Sequence, residues 1–240
     1  KGITAEELLQ STSLLVACSE EANERYQPDG QPVIFDLQVE AEILGCKLQW
    51  ATDAPPAVAS HPLAAGYDGL KSLQKPQPQD GRLPIILEAM RVLKQKIGDD
   101  TALYGLVVGP FTLALHLRGT NLFLDMFDQP EAVQELMHFC RQVTEVMADY
   151  YIDAGMDVIA VVDPMISQIS AEHFRQFVSE DATRIFDFIR ERGAYSSFFV
   201  CGNATPVLEV MAQCRPDGLS VDENVDMVYA KEIADRHQIS

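Results

Sequence analysis

The fold class follows most directly from the sequence Ala194-Tyr-Ser-Ser-Phe-Phe-Val-Cys-Gly-Asn-Ala-Thr-Pro206. Its apolar part predicts a buried strand that ends at Cys201. Gly202 and Asn203 both tolerate a positive φ, so we expect the chain to turn there. Thr205 can cap a helix that Pro206 begins, because proline suits the first helical position. A thiol is therefore predicted where a strand ends and a helix begins, the edge at which parallel α/β proteins bind ligands.

Further apolar segments alternate with predicted helices along the rest of the chain. Besides the strand just described, strands are predicted at residues 32–37, 102–108, 157–162 and 217–221. Helices are predicted at residues 4–26, 39–44, 84–97, 128–154, 170–192, 206–214 and 225–237. This order indicates parallel strands covered by helices, either in an open doubly wound sheet or in a (β/α)₈ barrel. No Gly-x-Gly-x-x-Gly follows a strand, which disfavours a dinucleotide-binding Rossmann fold.

Residues 53–82 interrupt this alternation with a run rich in proline and glycine. A loop of this length in a compact domain is usually a functional excursion or a mobile lid. A plain surface wrap is an equally good interpretation of the same composition, and the sequence leaves both open.

The charge balance limits the kinds of partner that the chain is expected to bind. The 240 residues include 36 acidic and 18 basic side chains, a net charge of −18, which disfavours nucleic acid and anionic membrane surfaces. No apolar run reaches the ~20 residues that span a bilayer, and the first residues do not resemble a signal peptide. Five cysteines without a Cys-x-x-Cys pair predict reduced thiols in a cytoplasmic protein.

Each predicted strand ends in a distinctive group. In chain order these are Asp36, Gly109-Pro110, Asp163-Pro164, Cys201-Gly-Asn203 and Asp222. In a parallel barrel all five meet at one rim, where three carboxylates and a thiol could bind a cation, hold a polar substrate or perform acid–base chemistry. His116 is the histidine best placed to join them. The alternative for each aspartate is a helix cap, and for Cys201 a small buried hydrophobe.

Six segments together resemble the uroporphyrinogen decarboxylase superfamily. They are Asp36-Leu-Gln-Val-Glu-Ala-Glu-Ile-Leu-Gly45, Asp80-Gly-Arg-Leu-Pro84, Gly109-Pro-Phe-Thr112, residues 157–164, Phe199-Val-Cys-Gly-Asn203 and Gly218-Leu-Ser-Val-Asp-Glu223. The resemblance spans roughly residues 30–230 and implies a (β/α)₈ TIM barrel. Residues 1–240 would form a single barrel domain that lacks the first and the last strands. A closed barrel from these residues alone is not expected, since compact barrels need about 250 residues.

Two features look like the methylcobamide:coenzyme M methyltransferase branch of this superfamily: Glu40-Ala-Glu42 and the cysteine of Cys201-Gly-Asn203. The resemblance implies methyl transfer between a methylated corrinoid and a thiol or folate acceptor. It implies Cys201 as a zinc ligand where zinc is bound. The branch typically has a histidine two residues before that cysteine, and here Phe199 stands there. Phenylalanine cannot ligate a metal, so the sequence departs from the branch at one of its zinc ligands.

The resemblance also implies residue roles at the predicted rim. Asp36, Asp163 and His116 would be catalytic, with both aspartates positioning substrate or donor. Gly109, Asn203 and Asp222 would contact the corrinoid, which is bound free or on a corrinoid protein. Homo-oligomers occur in the superfamily and are compatible with this chain.

The resemblance leaves two alternative functions open. The first is cofactor-free decarboxylation of tetrapyrrole acetate groups by a uroporphyrinogen decarboxylase. Asp36 would then contact the pyrrole nitrogens, and His116 would take the place of a tyrosine of that branch. The arginine-rich motif that binds substrate carboxylates there has no counterpart here. The second alternative is a corrinoid- or tetrapyrrole-binding protein without catalysis.

Overall fold

The computed structural model describes residues 2–240. Its first half contains α1 (Ala5–Leu9), α2 (Thr12–Tyr26), β1 (Gly30–Pro32), α3 (Val39–Ile43), β2 (Leu48–Gln49), β3 (Ala57–Val58), α4 (Leu83–Ile97), β4 (Ala102–Val108) and α5 (Pro110–Arg118). Its second half contains α6 (Leu122–Asp128), α7 (Pro130–Asp153), β5 (Val158–Val162), α8 (Ala171–Phe177), α9 (Ser179–Glu191), β6 (Tyr195–Val200), α10 (Leu208–Gln213), β7 (Gly218–Val221) and α11 (Met227–His237). Short 3₁₀ turns cover Leu70–Ser72 and Pro164–Gln168.

Five strands form one parallel sheet in the order β1-β4-β5-β6-β7, and β2 and β3 form a separate antiparallel hairpin. Helices connect the parallel strands, so the described residues form a half-barrel of the predicted (β/α) type. At the β7 edge, Leu219 N–H donates to the Ser240 carbonyl at 3.0 Å, and Ser240 N–H donates to the Asp217 carbonyl at 3.1 Å. The sheet is therefore parallel as predicted, with β1 as its other edge strand within residues 2–240.

The two faces of the sheet carry different apolar groups. On the concave face, Leu106, Ala160 and Val162 form a small buried cluster, against which Phe199 packs. On the other face, strand side chains such as Phe198 join the main core with the covering helices. Side chains alternate along each strand, so Phe199 faces the inside of the half-barrel while its neighbour Phe198 faces the helices.

Strand β1 differs from the predicted strand at residues 32–37. It begins at Gly30 and ends at Pro32, so Asp36 lies in the turn after the strand and not at its last residue. The Oδ1 atom of Asp36 accepts the Gln38 N–H at 2.9 Å. A side chain that bonds the backbone two residues on favours a turn over a sheet ladder, so residues 36–38 form a turn where the end of a strand was predicted.

Three helix boundaries also differ. The predicted helix at residues 4–26 is two helices, because Ser11 caps α2. The helix at 170–192 divides at Val178. Helix α10 begins at Leu208, so Thr205 does not cap it. The Thr205 N–H instead donates to Asn203 Oδ1 at 3.2 Å. Of the two residues expected at positive φ, Gly202 adopts φ 79° and Asn203 does not.

The excursion at residues 53–82 lies against α5, α6 and α7. Arg118 Nη1 donates to the carbonyls of Leu63 and Ala64 at 2.9 and 2.6 Å. Tyr67 Oη donates to Asp125 Oδ2 at 2.8 Å, and Tyr150 Oη donates to the Pro76 carbonyl at 3.1 Å. Side-chain hydrogen bonds therefore anchor this segment to the helices. Within residues 2–240 no helix combines the length and the apolar character needed to cross a bilayer.

Candidate functional site

A cavity of about 380 Å³ lies where the turn after β1, helix α5 and the 3₁₀ turn after β5 meet. It is lined by Leu37, Gln38, His61, Ala64, Thr112, Leu115, His116, Arg118, Gly119, Thr120, Asn121, Pro164 and Met165. We call this cavity the rim pocket. Cavities of about 500 and 720 Å³ lie elsewhere, along edge strand β1 and at the amino-terminal ends of β6 and β7. We consider the rim pocket the candidate site, because ligands bind at the carboxyl ends of parallel strands.

Asp163 anchors the first turn of α5 beneath this pocket. Its Oδ2 accepts the Phe111 N–H at 3.0 Å, and its Oδ1 accepts both the N–H and the hydroxyl of Thr112. The side chain is fully buried, and burial raises its pKa to about 6. Gly109 permits this contact, since a Cβ atom there would lie 2.3 Å from the Asp163 Cβ. Both residues predicted for the site therefore hold α5 in place.

His116 lines the rim pocket as a neutral imidazole at physiological pH. Burial lowers its pKa to about 4, with a smaller contribution from His61. Its Nδ1 is buried and has no hydrogen-bond partner in the structure. Its backbone carbonyl accepts from His61 Nδ1 at 2.8 Å and from Cys46 Sγ at 3.3 Å. The imidazole thus brings a buried nitrogen without a hydrogen-bond partner to the wall of the pocket.

The guanidinium of Arg118 at the same pocket is already neutralised. Its Nε donates to Asp125 Oδ2 at 2.7 Å, and both side chains are buried. Its Nη1 donates to the two loop carbonyls described above. The pocket lining therefore combines the imidazoles of His61 and His116 with amide and hydroxyl groups from Gln38, Asn121, Thr112 and Thr120, and its arginine is paired.

Asp36 lies beside the rim pocket in a buried ion pair. Arg82 Nη1 donates to Asp36 Oδ2 at 2.6 Å, and Arg82 Nε donates to Glu42 Oε2 at 2.7 Å. Glu40 is buried next to them, and its Oε1 accepts the Val108 N–H at 3.0 Å. Burial raises the Glu40 pKa to about 7. Arg82 and Glu40 were not predicted as site residues, although both belong to segments that carry the family resemblance.

Cys201, Asn203 and Asp222 form a second group at the same edge of the sheet. Asp222 Oδ2 accepts the Gly202 N–H at 2.9 Å, which joins the turns after β6 and β7. The hydrogen bond from Gly202, followed by that from Asn224, lowers the Asp222 pKa. A Cβ atom on Gly202 would lie 3.3 Å from Ser167 Oγ, so this turn packs on the 3₁₀ turn that follows Asp163. Asn203 is exposed to solvent.

The described residues do not fit a zinc site of the expected kind. Within residues 2–240 no group of three His, Cys, Asp or Glu side chains is arranged to hold a metal ion. Burial, with smaller contributions from Asp222 and Glu223, raises the pKa of the half-buried Cys201 thiol. Since zinc binds the thiolate, this environment disfavours Cys201 as a lone ligand. Phe199 packs on the apolar concave face, so no second ligand comes from that position.

Comparisons with known proteins identify similar chains in both branches of the superfamily. The family model for uroporphyrinogen decarboxylase (URO-D) matches residues 1–239. The methylcobamide:CoM methyltransferase MtbA of Methanosarcina acetivorans is 31% identical over 204 residues, which is 83% of this chain and 60% of that protein. A uroporphyrinogen decarboxylase of a Wolbachia endosymbiont of Brugia malayi is 25% identical over 237 residues, 94% of this chain and 65% of that protein.

A solved structure supports the same assignment. A methyltransferase from Methanosarcina mazei superposes with a TM-score of 0.90 at 26% identity, over 98% of this chain and 70% of that one. The resemblance to the methyltransferase branch is thereby confirmed, and the fold is TIM-barrel-like. The chain spans about 60% of the length of the MtbA relatives that it matches.

Proposed function

Since the chain belongs to the uroporphyrinogen decarboxylase family, we propose that it acts as a corrinoid-linked methyltransferase that binds a methylated corrinoid at the rim pocket. The identity to methylcobamide:CoM methyltransferases, 31% for MtbA, supports this choice over the decarboxylase. The observation that carries the proposal is the polar lining of the rim pocket, in which the arginine is already paired with Asp125.

The pocket lining suits carboxamides better than carboxylates. The edge of a corrinoid bears carboxamide side chains, whereas uroporphyrinogen bears carboxylates. Gln38 Oε1 is buried without a partner, and such an acceptor needs a donor that an amide N–H supplies and a carboxylate does not. His116 is neutral and Arg118 is paired with Asp125, so the described pocket offers a polycarboxylate no unpaired arginine.

The size of the rim pocket indicates how the corrinoid is presented. A corrinoid with its ring and axial groups is much larger than about 380 Å³. The pocket therefore takes side chains at one edge of the ring, while the remainder lies over the open carboxyl end of the sheet. A corrinoid protein can hold that outer part, which makes such a protein the proposed macromolecular partner.

The proposed reaction moves a methyl group from cobalt to a nucleophilic acceptor. The acceptor's electron pair forms the new bond to carbon, and both electrons of the cobalt–carbon bond stay on cobalt. A thiol acceptor releases its proton to solvent or to a carboxylate at the rim. Asp163 and Gly109 act by holding α5, and Asp36 acts by shaping the pocket wall. Asp222 and Asn203 accept the N–H groups of Gly202 and Thr205 and so order the turn after β6.

The first test incubates the purified protein with methylcobalamin and either coenzyme M or tetrahydrofolate, and follows loss of the cobalt–carbon bond by absorbance. We expect demethylation that depends on one of the two acceptors. A His116→Gln variant should weaken methylcobalamin binding about tenfold, because one buried hydrogen bond is changed. An exposed control, Asp128→Ala, should leave binding unchanged.

Two other outcomes would contradict this proposal and support an alternative function. Decarboxylation of uroporphyrinogen without demethylation of methylcobalamin would show that the decarboxylase alternative is correct. Binding of methylcobalamin without turnover for either acceptor, in the presence of a corrinoid protein as well as free corrinoid, would indicate a non-catalytic binding protein.

A further inference from the structure

We propose that Arg82 is a positioning residue that fixes the wall of the rim pocket formed by Leu37 and Gln38, an inference that rests on the proposed function for its catalytic consequence. Arg82 is the residue before α4 and closes the excursion at residues 53–82. Its side chain is 6% exposed. It donates to Asp36 at 2.6 Å and to Glu42 at 2.7 Å, and so joins the turn after β1 to helix α3.

The first wall is reached through Asp36. One oxygen of Asp36 accepts from Arg82, and the other accepts the Gln38 N–H at 2.9 Å. Leu37 and Gln38 line the rim pocket. The guanidinium therefore sets the orientation of a carboxylate, and that carboxylate sets the backbone of the pocket wall. Neither Arg82 nor Asp36 lines the pocket. Arg82 therefore acts on the pocket wall through Asp36 and does not contact the ligand itself.

The second wall comes from the excursion that ends at Arg82. This segment delivers His61 and Ala64 to the rim pocket, and His61 Nδ1 donates to the His116 carbonyl at 2.8 Å. Arg118 Nη1 also holds the carbonyls of Leu63 and Ala64, so this wall is anchored independently of Arg82. Loss of the Arg82 bridge should therefore loosen the wall of Leu37 and Gln38 and leave residues 61–64 unchanged.

The charge arrangement at Arg82 requires a guanidinium. Two carboxylates, Asp36 and Glu42, contact different nitrogens of the planar fork, whereas a lysine ammonium on a flexible stem has no such fixed geometry. The buried Glu40 adds a third carboxyl group nearby, and the charges of Asp36 and Arg82 act on it in opposite directions. Replacement of arginine by lysine should therefore weaken the bridge even though the charge is retained.

Trp50 provides a local reporter for this bridge. The Arg82 guanidinium carbon lies 5.0 Å from the centroid of the Trp50 ring. Trp50 is the one tryptophan of the chain, so its emission reports on Arg82 without interference from a second indole. Movement of the guanidinium should change the emission of Trp50 in the absence of any ligand.

The test compares the unaltered chain with Arg82→Lys, with Arg82→Ala, and with the double variant Arg82→Gln/Asp36→Asn. In the double variant, residue 36 is a neutral amide, so no unpaired charge is buried there. This variant therefore tests the bridge even where Arg82→Ala fails to fold. Arg91→Gln is the control, since Arg91 lies on α4, the helix that follows Arg82, with its side chain 51% exposed. Hydrogen exchange in residues 36–38 and 61–64 and Trp50 emission are measured without ligand. Methylcobalamin affinity, kcat and KM are then measured with ligand.

We expect faster exchange at residues 36–38 of the Arg82 variants, and unchanged exchange at residues 61–64, in α9 and in the Arg91 control. Methylcobalamin affinity should fall about tenfold to a hundredfold, as expected when a charge-assisted hydrogen bond is lost. Millimolar guanidinium should partly restore the affinity of Arg82→Ala, because the cavity left by truncation matches that ion. Rescue of this kind distinguishes positioning from a general loss of stability.

Unchanged exchange at residues 36–38 would overturn the inference, whatever the protein binds. Altered exchange with unchanged affinity and kinetics would overturn the positioning role and leave only a structural bridge. If the unaltered chain does not bind methylcobalamin while the exchange changes occur, the proposed function fails and Arg82 still positions this wall of the pocket.

Discussion

Thr112 donates both its backbone N–H and its hydroxyl to the same oxygen of Asp163, at 2.7 and 2.6 Å. The aspartate stands at the carboxyl end of β5, and the threonine belongs to the first turn of α5. The contact satisfies helix N–H groups that have no partner within the helix, and it places a carboxylate at the positive end of the helix dipole. It therefore fixes the helix that carries His116 relative to the sheet.

Truncation of Asp163 to alanine should destabilise the chain by about 2–3 kcal/mol, since buried N–H donors lose their acceptor. Thr112→Val, which removes only the hydroxyl, should cost about 1 kcal/mol. Urea unfolding followed by circular dichroism measures both changes. Asp128→Ala, at an exposed position, serves as the control. Equal stability of the Asp163 variant and this control would show that the helix does not depend on the contact.

Gly109→Ala should destabilise the chain at least as much as Asp163→Ala does, through steric overlap alone. The added Cβ would lie 2.3 Å from the Asp163 Cβ and 2.4 Å from its Oδ2, distances that force β4 and β5 apart. The φ of −72° at Gly109 is ordinary, so backbone strain plays no part. Gly218→Ala is a matched strand control, because its nearest neighbour would be 3.7 Å away. Similar urea midpoints for the two variants would contradict the steric argument.

Much of this edge could be predicted from the sequence because strands and their ends are local signals. Apolar runs such as residues 102–108, followed by Gly109-Pro110, mark both the strand and the turn where ligands gather. The same reasoning extended β1 too far, since Val33 and Ile34 are apolar and buried without belonging to the strand. Burial alone does not distinguish a strand from a buried turn.

The Arg82–Asp36 pair could not be predicted because its partners are 46 residues apart and no periodic pattern relates them. Helix α3, the β2–β3 hairpin and a long irregular segment separate them, and only the folded chain shows where that segment returns. A weaker signal existed in the segment Asp80-Gly-Arg-Leu-Pro84, in which an arginine precedes an apolar helix. A positively charged side chain at the start of a helix opposes the helix dipole, which suggests a specific partner.

Glu40 should make the stability of the chain depend on pH. Its pKa rises from 4.5 to about 7 on folding because the carboxyl group is buried. A raised folded pKa means that the folded state binds the proton more tightly, so this contribution is complete below about pH 4.5 and is lost as the pH rises through 7.

Glu40→Gln should remove this dependence while the amide oxygen still accepts the Val108 N–H. The difference in unfolding free energy between the unaltered chain and the variant should shift by about 2–3 kcal/mol between pH 4.5 and pH 8. Urea midpoints across this range measure it, with the exposed Glu88→Gln as control. Parallel pH profiles for the unaltered chain and Glu40→Gln would contradict the assignment.

The His116 imidazole should remain neutral throughout the physiological range. Burial, helped by His61, lowers its pKa to about 4, so its NMR signals should not titrate between pH 5.5 and 8. Two-dimensional spectra of ¹⁵N-histidine-labelled protein measure this, and His116→Gln identifies the signal. A midpoint near 6.5 would mean that the imidazole is solvated and charged near neutrality, which would weaken the argument for a pocket selective for uncharged groups.

Phe199→His should create a zinc affinity that the unaltered chain lacks. Phe199 and Cys201 are two residues apart at the end of β6, so their side chains point to the same side of the chain, and Phe199 lies on the concave face. A new imidazole beside the thiol, with Asp222 and Glu223 close enough to raise the thiol pKa, offers the mixed ligands that zinc prefers.

We expect zinc content to rise toward about one per chain in the variant and to fall again when Cys201→Ser is added. Elemental analysis after dialysis measures this. Stoichiometric zinc in the unaltered chain that Cys201→Ser removes would contradict the argument, because a ligand set that includes the thiol would then exist without an imidazole at position 199.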